Sequence, residues 1–287
     1  MTENLCSIVD SKFFDLSTQA NGGAIYLKQT KELQVIRCFF VRCSTGQSYN
    51  GGGIYFESSK NLITARNCAS ECVSNIGFYI FVQGAANANV NINETMTTNC
   101  PGEGHTVCRV LTSDLYSRMY NSSFCRSIYN NVASLYNKVT NSMFHHYYKN
   151  NNDIAYTAAS GGENHKLSHA CLIMNGRSRG RDGYIHVNEY SDEVLTVNDL
   201  YAYGNDAEVP IANPIYGLII FINFTGDRPF TYTGNGRVST NNIQIDSSFV
   251  MTTIFNNILV CESNIKCTCK TNRNEYLIPI FFLIFIS

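Results

Sequence analysis

Short runs of alternating apolar and polar residues recur near the start of the chain. The apolar positions are rich in aliphatic, β-branched and aromatic residues, and Gly, Ser and Asn bound each run. A period of two residues is typical of a half-buried β-strand and not of a helix. The pattern therefore predicts four strands, at Gly23–Leu27, Leu33–Val35, Ile54–Phe56 and Leu62–Ile63.

This pattern returns at a fixed spacing. The segment Asn21–Tyr26 (NGGAIY) recurs as Asn50–Tyr55 (NGGGIY), an offset of 29 residues. The same offset relates Lys31 to Lys60, Leu33 to Leu62, Arg37 to Arg66 and Cys43 to Cys72. Repeats of this length are typical of solenoids, in which each unit buries its apolar face against the next copy. We therefore expect a solenoid.

The content of the repeat decides between classes of solenoid. Helical repeats are disfavoured by the period of two, and leucine-rich repeats need a denser Leu pattern at a shorter spacing. Propellers of the WD type need a Trp-Asp signature, and the chain has no Trp. A coiled parallel β-sheet with about three short strands per turn remains, an all-β fold.

Paired glycines open each copy, at Gly22-Gly23 and Gly51-Gly52. A sharp corner between strands needs a positive φ or a close approach of two backbones, and Gly permits both. The alternative is a phosphate-binding loop, but neither pair precedes Gly-Lys-Ser/Thr or a helical pattern. The glycines are therefore interpreted as corners.

These motifs resemble a known family. Gly22-Gly23-Ala24-Ile25 and, less closely, Gly51-Gly52-Gly53-Ile54 resemble the Gly-Gly-Ala-Ile repeats of polymorphic outer-membrane proteins and their protist counterparts on parasite surfaces. The family's Phe-x-x-Asn motif is altered, since Phe40–Cys43 ends in Cys and Ala69–Cys72 lacks the Phe. The resemblance spans residues about 20 to 75. It implies a right-handed parallel β-helix solenoid at a cell surface, and it transfers no catalytic residue.

Beyond this region the repeat weakens, and one domain over residues 1–272 is expected, with its clearest repeats at 20–100. Gly77–Ile80 predicts a third corner and strand, and Cys100 follows Cys72 by 28 residues. The polar stretch Asn150–Gly162 is interpreted as a long surface loop. Further strand pairs are predicted within Tyr120–Cys125, Asn137–Phe144, Gly183–Val187 and Arg237–Met251.

The two ends of the chain bear on its location. Met1–Ala20 lacks a basic start and an apolar core, so it is not interpreted as a signal peptide. Residues 273–287 form an apolar tail, and Tyr276 to Ile286 is about half of the ~20 residues that a bilayer span needs. The tail is a closing strand, a membrane-associated segment or the remnant of a truncated membrane anchor. The resemblance favours the remnant and implies a cell-surface or membrane location.

Charge is sparse on this chain. The net charge is -1, and charged residues make up 15% of the sequence, below the usual share of about a quarter. No basic field for nucleic acid exists, and the densest basic run, Arg177–Arg181, is interpreted as a solvated loop. Asn is abundant instead, and Asn residues at corners are expected to form amide ladders between successive turns.

The chain has twelve cysteines, which are either paired in disulfides or present as free thiols. Stacked strands lie ~4.8 Å apart, which is within the Cα separation of a disulfide. Cys43, Cys72 and Cys100 are aligned by the repeat, so neighbours among them have the spacing to pair between turns. The alternative is a buried ladder of free thiols.

Metal sites are not predicted. Cys261, Cys267 and Cys269 lack a fourth ligand. His165 and His169 would share a face with Glu163 only on a helix, whereas Gly161, Gly162 and Asn164 indicate a loop. No residue is assigned to a metal or a cofactor.

Catalysis is not predicted either. Polysaccharide-cleaving β-helices place carboxylates on one face of neighbouring turns, because glycoside cleavage requires a pair of acids. Gly102–His105 and Asp192–Glu193 lack a second acidic cluster one turn away, and Gly-x-Ser-x-Gly, His-Glu-x-x-His and a Cys/His/Asn arrangement are absent. No catalytic residue is assigned.

We therefore expect a non-catalytic surface display or adhesin-like protein, with glycans or host and cell-surface proteins as partners and membrane association through Tyr276 to Ile286. One alternative is a divergent polysaccharide-active lyase or hydrolase. A cluster of Asp, Glu, His and Arg projecting from one face of consecutive turns would favour that alternative. Another is a structural repeat fragment without a function of its own.

Overall fold

A computed structural model describes residues 5–57, 59–100, 106–123, 125, 130–135, 141–149, 156–159, 165–173, 175–176, 184–187 and 194–246. Every regular element in these ranges is a β-strand, and all the strands pair in parallel with the equivalent strand of the next turn. The predicted parallel β-helix is confirmed.

The first sheet of the coil is a stack of ten strand segments in register. Residues Leu33, Leu62, Val90 and Leu115, for example, are direct partners along the stack. The strands that contribute are β1 (Leu5–Val9), β5 (Glu32–Ile36), β9 (Asn61–Ala65), β11 (Ile80–Thr98), β12 (Thr106–Ser123), β14 (Asn141–Lys149), β16 (His165–Ile173), β18 (Val194–Tyr203), β20 (Leu218–Gly226) and β21 (Arg237–Ile245).

Two further sheets complete each turn. The second contains β2 (Lys12–Phe14), β6 (Phe39–Val41), β10 (Cys68–Ser70) and the C-terminal parts of β11, β12, β14, β16, β18, β20 and β21. The third contains β4 (Ile25–Lys28), β8 (Ile54–Glu57), the N-terminal parts of β11 and β12, β13 (Asn130–Leu135), β15 (Tyr156–Ala159), β17 (Ile185–Val187) and β19 (Ala212–Pro214). A short pair, β3 (Ser17–Thr18) and β7 (Ser44–Thr45), lies between them along the chain.

Alternation along each strand sends every second side chain into the coil. Leu33 and Val35 of β5, and Leu62 of β9, are fully buried, whereas their sequence neighbours are not. The parallel register places like positions on one another, so apolar residues form continuous columns along the axis. Phe13 stacks on Phe40 with ring centroids 4.8 Å apart. The core is therefore built by repetition, one layer per turn.

Single residues in the left-handed region turn the chain from the first sheet into the second. Among the residues that the structure describes, nine at this corner position have φ between 46° and 60°: Asp10, Arg37, Arg66, Glu94, Met119, His169, Asp199, Asn223 and Asn242. Their backbone N–H groups donate to the next turn, as from Arg37 to the Ala65 carbonyl at 2.9 Å. We call this column the charged corner.

Side chains of the charged corner pair from turn to turn. Arg37 binds Asp10 at 2.6 Å, and its guanidinium holds the pKa of that carboxyl below its ordinary value. Asn242 Nδ2 donates to Asn223 Oδ1 at 2.9 Å, which confirms the expected amide ladder between turns. Exposed pairs of this kind are screened by solvent and contribute little to stability, so their main effect is to fix the register of the turns.

The paired glycines form corners, as predicted, for two different reasons. Gly51 has φ +72°, a conformation that L side chains rarely adopt. The next residue, Gly52, has an ordinary φ, but a Cβ there would overlap the carbonyl oxygen of Phe78 in the following turn. The first glycine of the pair therefore permits the bend, and the second permits the turns to approach.

The structure confirms some of the predictions made for the later part of the chain and contradicts others. Gly77 is a positive-φ corner before β11, which confirms the third repeat. The loop predicted at Asn150–Gly162 is wrong over Tyr156–Ala159, which is β15 of the third sheet. Strands lie within the predicted later segments at Tyr120, Asn141, Ile185 and Arg237. The tail at 273–287 lies outside the described residues.

The two-part role of the glycines predicts the effect of adding a methyl group. Gly52→Ala should lower the free energy of unfolding by more than about 1 kcal/mol, because the clash is with backbone and cannot relax cheaply. Gly46→Ala is the control, since its Cβ would meet chiefly the end of the Gln19 side chain. We expect that variant to stay within about 0.5 kcal/mol of the original chain in urea denaturation. Equal effects of the two substitutions would contradict this account.

Candidate binding groove on the first sheet

The outer face of the first sheet carries columns of side chains, one residue per turn. Ile36, Ala65, Asn93 and Arg118 are direct register partners in β5, β9, β11 and β12. Alternation points them outward, because their neighbours one residue before are buried or face the core. Tyr116 lies two residues before Arg118 and also points outward.

A groove of about 280 Å³ lies over this column beside the charged corner. It is lined by Ile36, Ala65, Arg66, Asn93, Glu94, Tyr116 and Arg118. The four strands that contribute span about 14 Å along the axis at the usual strand spacing. Ala65 is the smallest residue of the column and leaves the depression between longer neighbours.

The charges of the groove do not cancel. Arg66 Nε lies 2.8 Å from Glu94 Oε2, so these two residues neutralise each other. Arg118 is exposed and forms no ion pair with any carboxylate in the described ranges. The lining therefore has one uncompensated positive charge, at the Arg118 end.

Two buried acceptors lie in this part of the sheet, and one of them, on Asn93, belongs to the floor of the groove. Asn91 Oδ1 and Asn93 Oδ1 are buried and have no hydrogen-bond partner. Asn91 is the register partner of Tyr116, and Asn93 is the register partner of Arg118. A buried acceptor without a partner costs about 1–3 kcal/mol, and such a site usually receives a donor from water or a ligand. The floor is therefore suited to hydroxyl donors.

Tyr116 supplies an aromatic surface to the groove. Its side chain is 46% exposed although it belongs to a central strand of the sheet. An exposed tyrosine combines a flat apolar ring with a polar hydroxyl. The groove thus joins an aromatic ring, a free guanidinium and amide acceptors on two adjacent turns.

No residue of this groove was assigned to a site from the sequence. The repeat related Arg37 to Arg66, which form equivalent parts of the charged corner, but it ended before Tyr116 and Arg118. The signal that could have found the groove is the outward column itself. To recognise that column, the register of four turns must be known. The spacing between turns changes after residue 66, from 29 to 28 and then 25 residues.

The histidine pair considered for metal binding is divided between the inside and the outside of the coil. His165 and His169 belong to strand β16, so the predicted loop is wrong there. His165 is buried, whereas His169 lies on the charged corner with Nδ1 3.1 Å from Asp199 Oδ2. Glu163, Cys261, Cys267 and Cys269 lie outside the described residues. Within the described ranges no three His, Cys, Asp or Glu side chains are grouped to hold a metal ion.

Acidic and basic residues do project from consecutive turns at the charged corner. Asp10 pairs with Arg37, Glu94 with Arg66 and Asp199 with His169. Asp10 and Glu94 each have an arginine partner, and Asp199 lies beside an imidazole, so none of these three acids stands alone. Gly102–His105 and Asp192–Glu193 lie outside the described residues.

The aligned cysteines form a buried ladder. Cys43, Cys72 and Cys100 occupy equivalent positions after the second sheet, and Cys125 extends the ladder by one turn. The cysteines of the described ranges are free thiols. The thiols donate to backbone carbonyls, with Cys43 Sγ 3.5 Å from the Phe13 oxygen and Cys72 Sγ 3.6 Å from the Phe40 oxygen. Of the two alternatives, the structure contains the ladder of thiols.

Burial raises the pKa of several core thiols and phenols. Desolvation raises the pKa of Cys108 to about 12, and it raises that of Tyr120 above the ordinary range. The folded state then holds protons that the unfolded state releases above about pH 8.5 for Cys and about pH 10 for Tyr. Stability is fully present below these values and falls as the pH rises through them.

This linkage predicts loss of stability in alkali. The urea midpoint should be constant from about pH 7 to 8 and should then fall, because each buried thiol whose pKa is raised, such as Cys108, contributes up to about 1.4 kcal/mol per pH unit above its unfolded pKa. Cys108→Ala should be less stable at neutral pH but should show a shallower decline between about pH 8.5 and 10. An unchanged decline in that variant would show that Cys108 does not contribute.

Comparisons with known proteins gave no relatives. No family model matches the chain, and neither a curated protein nor a solved structure is significantly similar to it. Across the described ranges, no helix has the length and hydropathy needed to cross a bilayer.

Proposed function

We propose that this chain is a non-catalytic, adhesin-like binding protein that presents the groove on its first sheet to a glycan. The observation that carries the proposal is the composition of the groove lining. A sugar offers an apolar ring face and a rim of hydroxyl groups, so it requires an aromatic or aliphatic surface beside hydrogen-bonding groups. The apolar surface is supplied by Tyr116, Ile36 and Ala65. The hydrogen-bonding groups are supplied by Asn93 and Arg118.

The shape of the groove also suits a glycan chain. It crosses four turns of the coil, and the outward columns continue beyond it in both directions along the axis. The backbone beneath is held by sheet hydrogen bonds, so the side chains are presented by a rigid surface. Binding then costs little ordering of the protein.

The acids of the groove favour binding over cleavage. Glycoside hydrolysis uses two carboxyl groups on either side of the bond. The lining residues include one carboxylate, Glu94, and it is ion-paired with Arg66. A polysaccharide-active enzyme is the alternative, and it would need a second acid near Glu94.

The location of the protein is proposed from the resemblance of its Gly-Gly-Ala-Ile motifs to those of surface-exposed β-helical proteins. A parallel β-helix with little charge and a rigid outer face is suited to display, because its binding surface is independent of its core. We propose that glycans, either free or carried by host and cell-surface proteins, are its partners.

Filling the depression should abolish glycan binding. Ala65→Tyr places a large ring in the centre of the groove, at an outward strand position where an aromatic residue is tolerated. The control is Ile222→Tyr, which adds the same ring to the same outward column several turns away. Full-length protein would be applied to an array of plant, microbial and animal polysaccharides, and the Ala65→Tyr variant alone should lose the signals.

Two results would contradict this proposal. Loss of binding in both variants, or in neither, would place the binding site elsewhere. Release of new reducing or unsaturated sugar ends from a retained polysaccharide would support the enzymatic alternative. Thermal unfolding of each variant would confirm that the coil is intact.

Surface display gives a separate prediction. Intact cells that express the native gene should allow a membrane-impermeant biotin reagent to label the protein, because its lysines lie outside the cell. A cytosolic protein of the same cells serves as the control for leakage. Labelling only after lysis would rule out the adhesin-like role, while leaving glycan binding by the groove open to the array test.

A further inference from the structure

We infer that the glycan bound by the groove is acidic, and that Arg118 anchors its carboxylate while the sugar ring lies against Tyr116. This inference rests on the proposed function and specifies its ligand. It is carried by the juxtaposition of a free guanidinium, an exposed aromatic ring and the unpartnered Asn93 Oδ1 on adjacent turns, with a second such oxygen on neighbouring Asn91.

The charge of the groove is the first step. Arg66 is neutralised by Glu94, whereas Arg118 has no carboxylate partner in the described ranges. A guanidinium donates two parallel hydrogen bonds to a carboxylate, which is a stronger and more directional contact than a neutral one. An anionic substituent is therefore favoured at this end of the groove.

The spacing along β12 is the second step. Tyr116 and Arg118 are two residues apart on one strand, so their side chains leave the same face with Cα atoms about 6.6 Å apart. A ring seated on Tyr116 thus places a substituent within reach of the Arg118 guanidinium. Asp114 lies on the same face on the other side of Tyr116 and is exposed. Its negative charge disfavours the opposite orientation of an acidic sugar.

The unpartnered amide oxygens favour an acidic sugar over other anions. Asn91 Oδ1 and Asn93 Oδ1 require hydrogen-bond donors. A phosphate diester or a sulfate ion offers acceptors only, and it would leave these oxygens unsatisfied. A uronic acid carries both hydroxyl donors and one carboxylate. A net charge of -1 also argues against a general polyanion site.

The test compares one oligosaccharide with and without its charge. The probes are a hexameric oligouronate and the same oligosaccharide after reduction of its carboxylates to alcohols, titrated into the full-length protein by calorimetry. The original chain should bind the acid form at least about tenfold more tightly, because charge-assisted hydrogen bonds are lost in the neutral form. That difference should shrink as salt is raised.

Arg118→Gln should remove the preference. It should weaken binding of the oligouronate about tenfold more than it weakens binding of the neutral form. Arg118→Lys keeps the charge but not the two-pronged geometry, and it should recover only part of the loss. The control is Arg237→Gln, an exposed arginine on β21 of the same sheet, far from the groove. It should change neither affinity.

The outcomes separate this inference from the proposed function. Equal binding of the two probes, with both blocked by Ala65→Tyr, would overturn the acidic preference and leave glycan binding standing. A preference that persists in Arg118→Gln would overturn the role of Arg118. Equally tight binding of a sulfated oligosaccharide would overturn the assignment to a carboxylate. Failure to bind any glycan in the array or in solution would overturn both the inference and the proposed function.

Discussion

In-register parallel stacking is the constraint on which the rest of this structure depends. Each strand lies on its counterpart from the previous turn, so each side chain lies between the side chains at the equivalent positions of the turns before and after it. Such a column favours residues that stack on one another, whether apolar as at Leu33 and Leu62, sulfur-containing as at Cys43 and Cys72, or paired by charge as at Arg37 and Asp10. Core, thiol ladder and charged corner are three results of the same rule.

The corners of the coil are the positions where steric constraints on the backbone are most severe. Turning between two sheets with a single residue forces a positive φ, and most L-residues adopt it at a cost of about 1 kcal/mol or more. The coil contains Arg, Glu, Met and His at this position. Their backbone N–H groups bond to the next turn, and several side chains pair across turns, which offsets that cost. At the glycine corner no side chain could fit, because a carbonyl of the next turn occupies the space.

The sequence predicts this fold best where its copies are still alike. The strands around Ile25, Leu33, Ile54 and Leu62 were found because alternation and the 29-residue spacing agree there. Cys125 was missed because its turn is shorter than that of Cys100. Strand β15 was missed because its residues are small or polar and are bounded by polar sequence. Pairing with its neighbours in the third sheet overrides that local signal.

The groove could not be predicted in the same way. Its residues come from four turns, and no local pattern shows which outward side chain will lie beside which. Ala65, Asn93 and Arg118 become neighbours only when the register is known to the residue, because an error of one position would turn each of them toward the core. The net charge of the chain also gives no indication of the groove. The sparse and balanced total hides a local imbalance that arises because Arg66 has a partner and Arg118 has none.

The single alanine that forms the depression has a consequence for how such a surface evolves. Outward columns contribute little to the core, so exchanging a small residue for a large one along a column would close one groove and open another a turn away. Such exchanges would reshape the outer surface at little cost in stability, because the packing that holds the coil together lies on the other face of each strand.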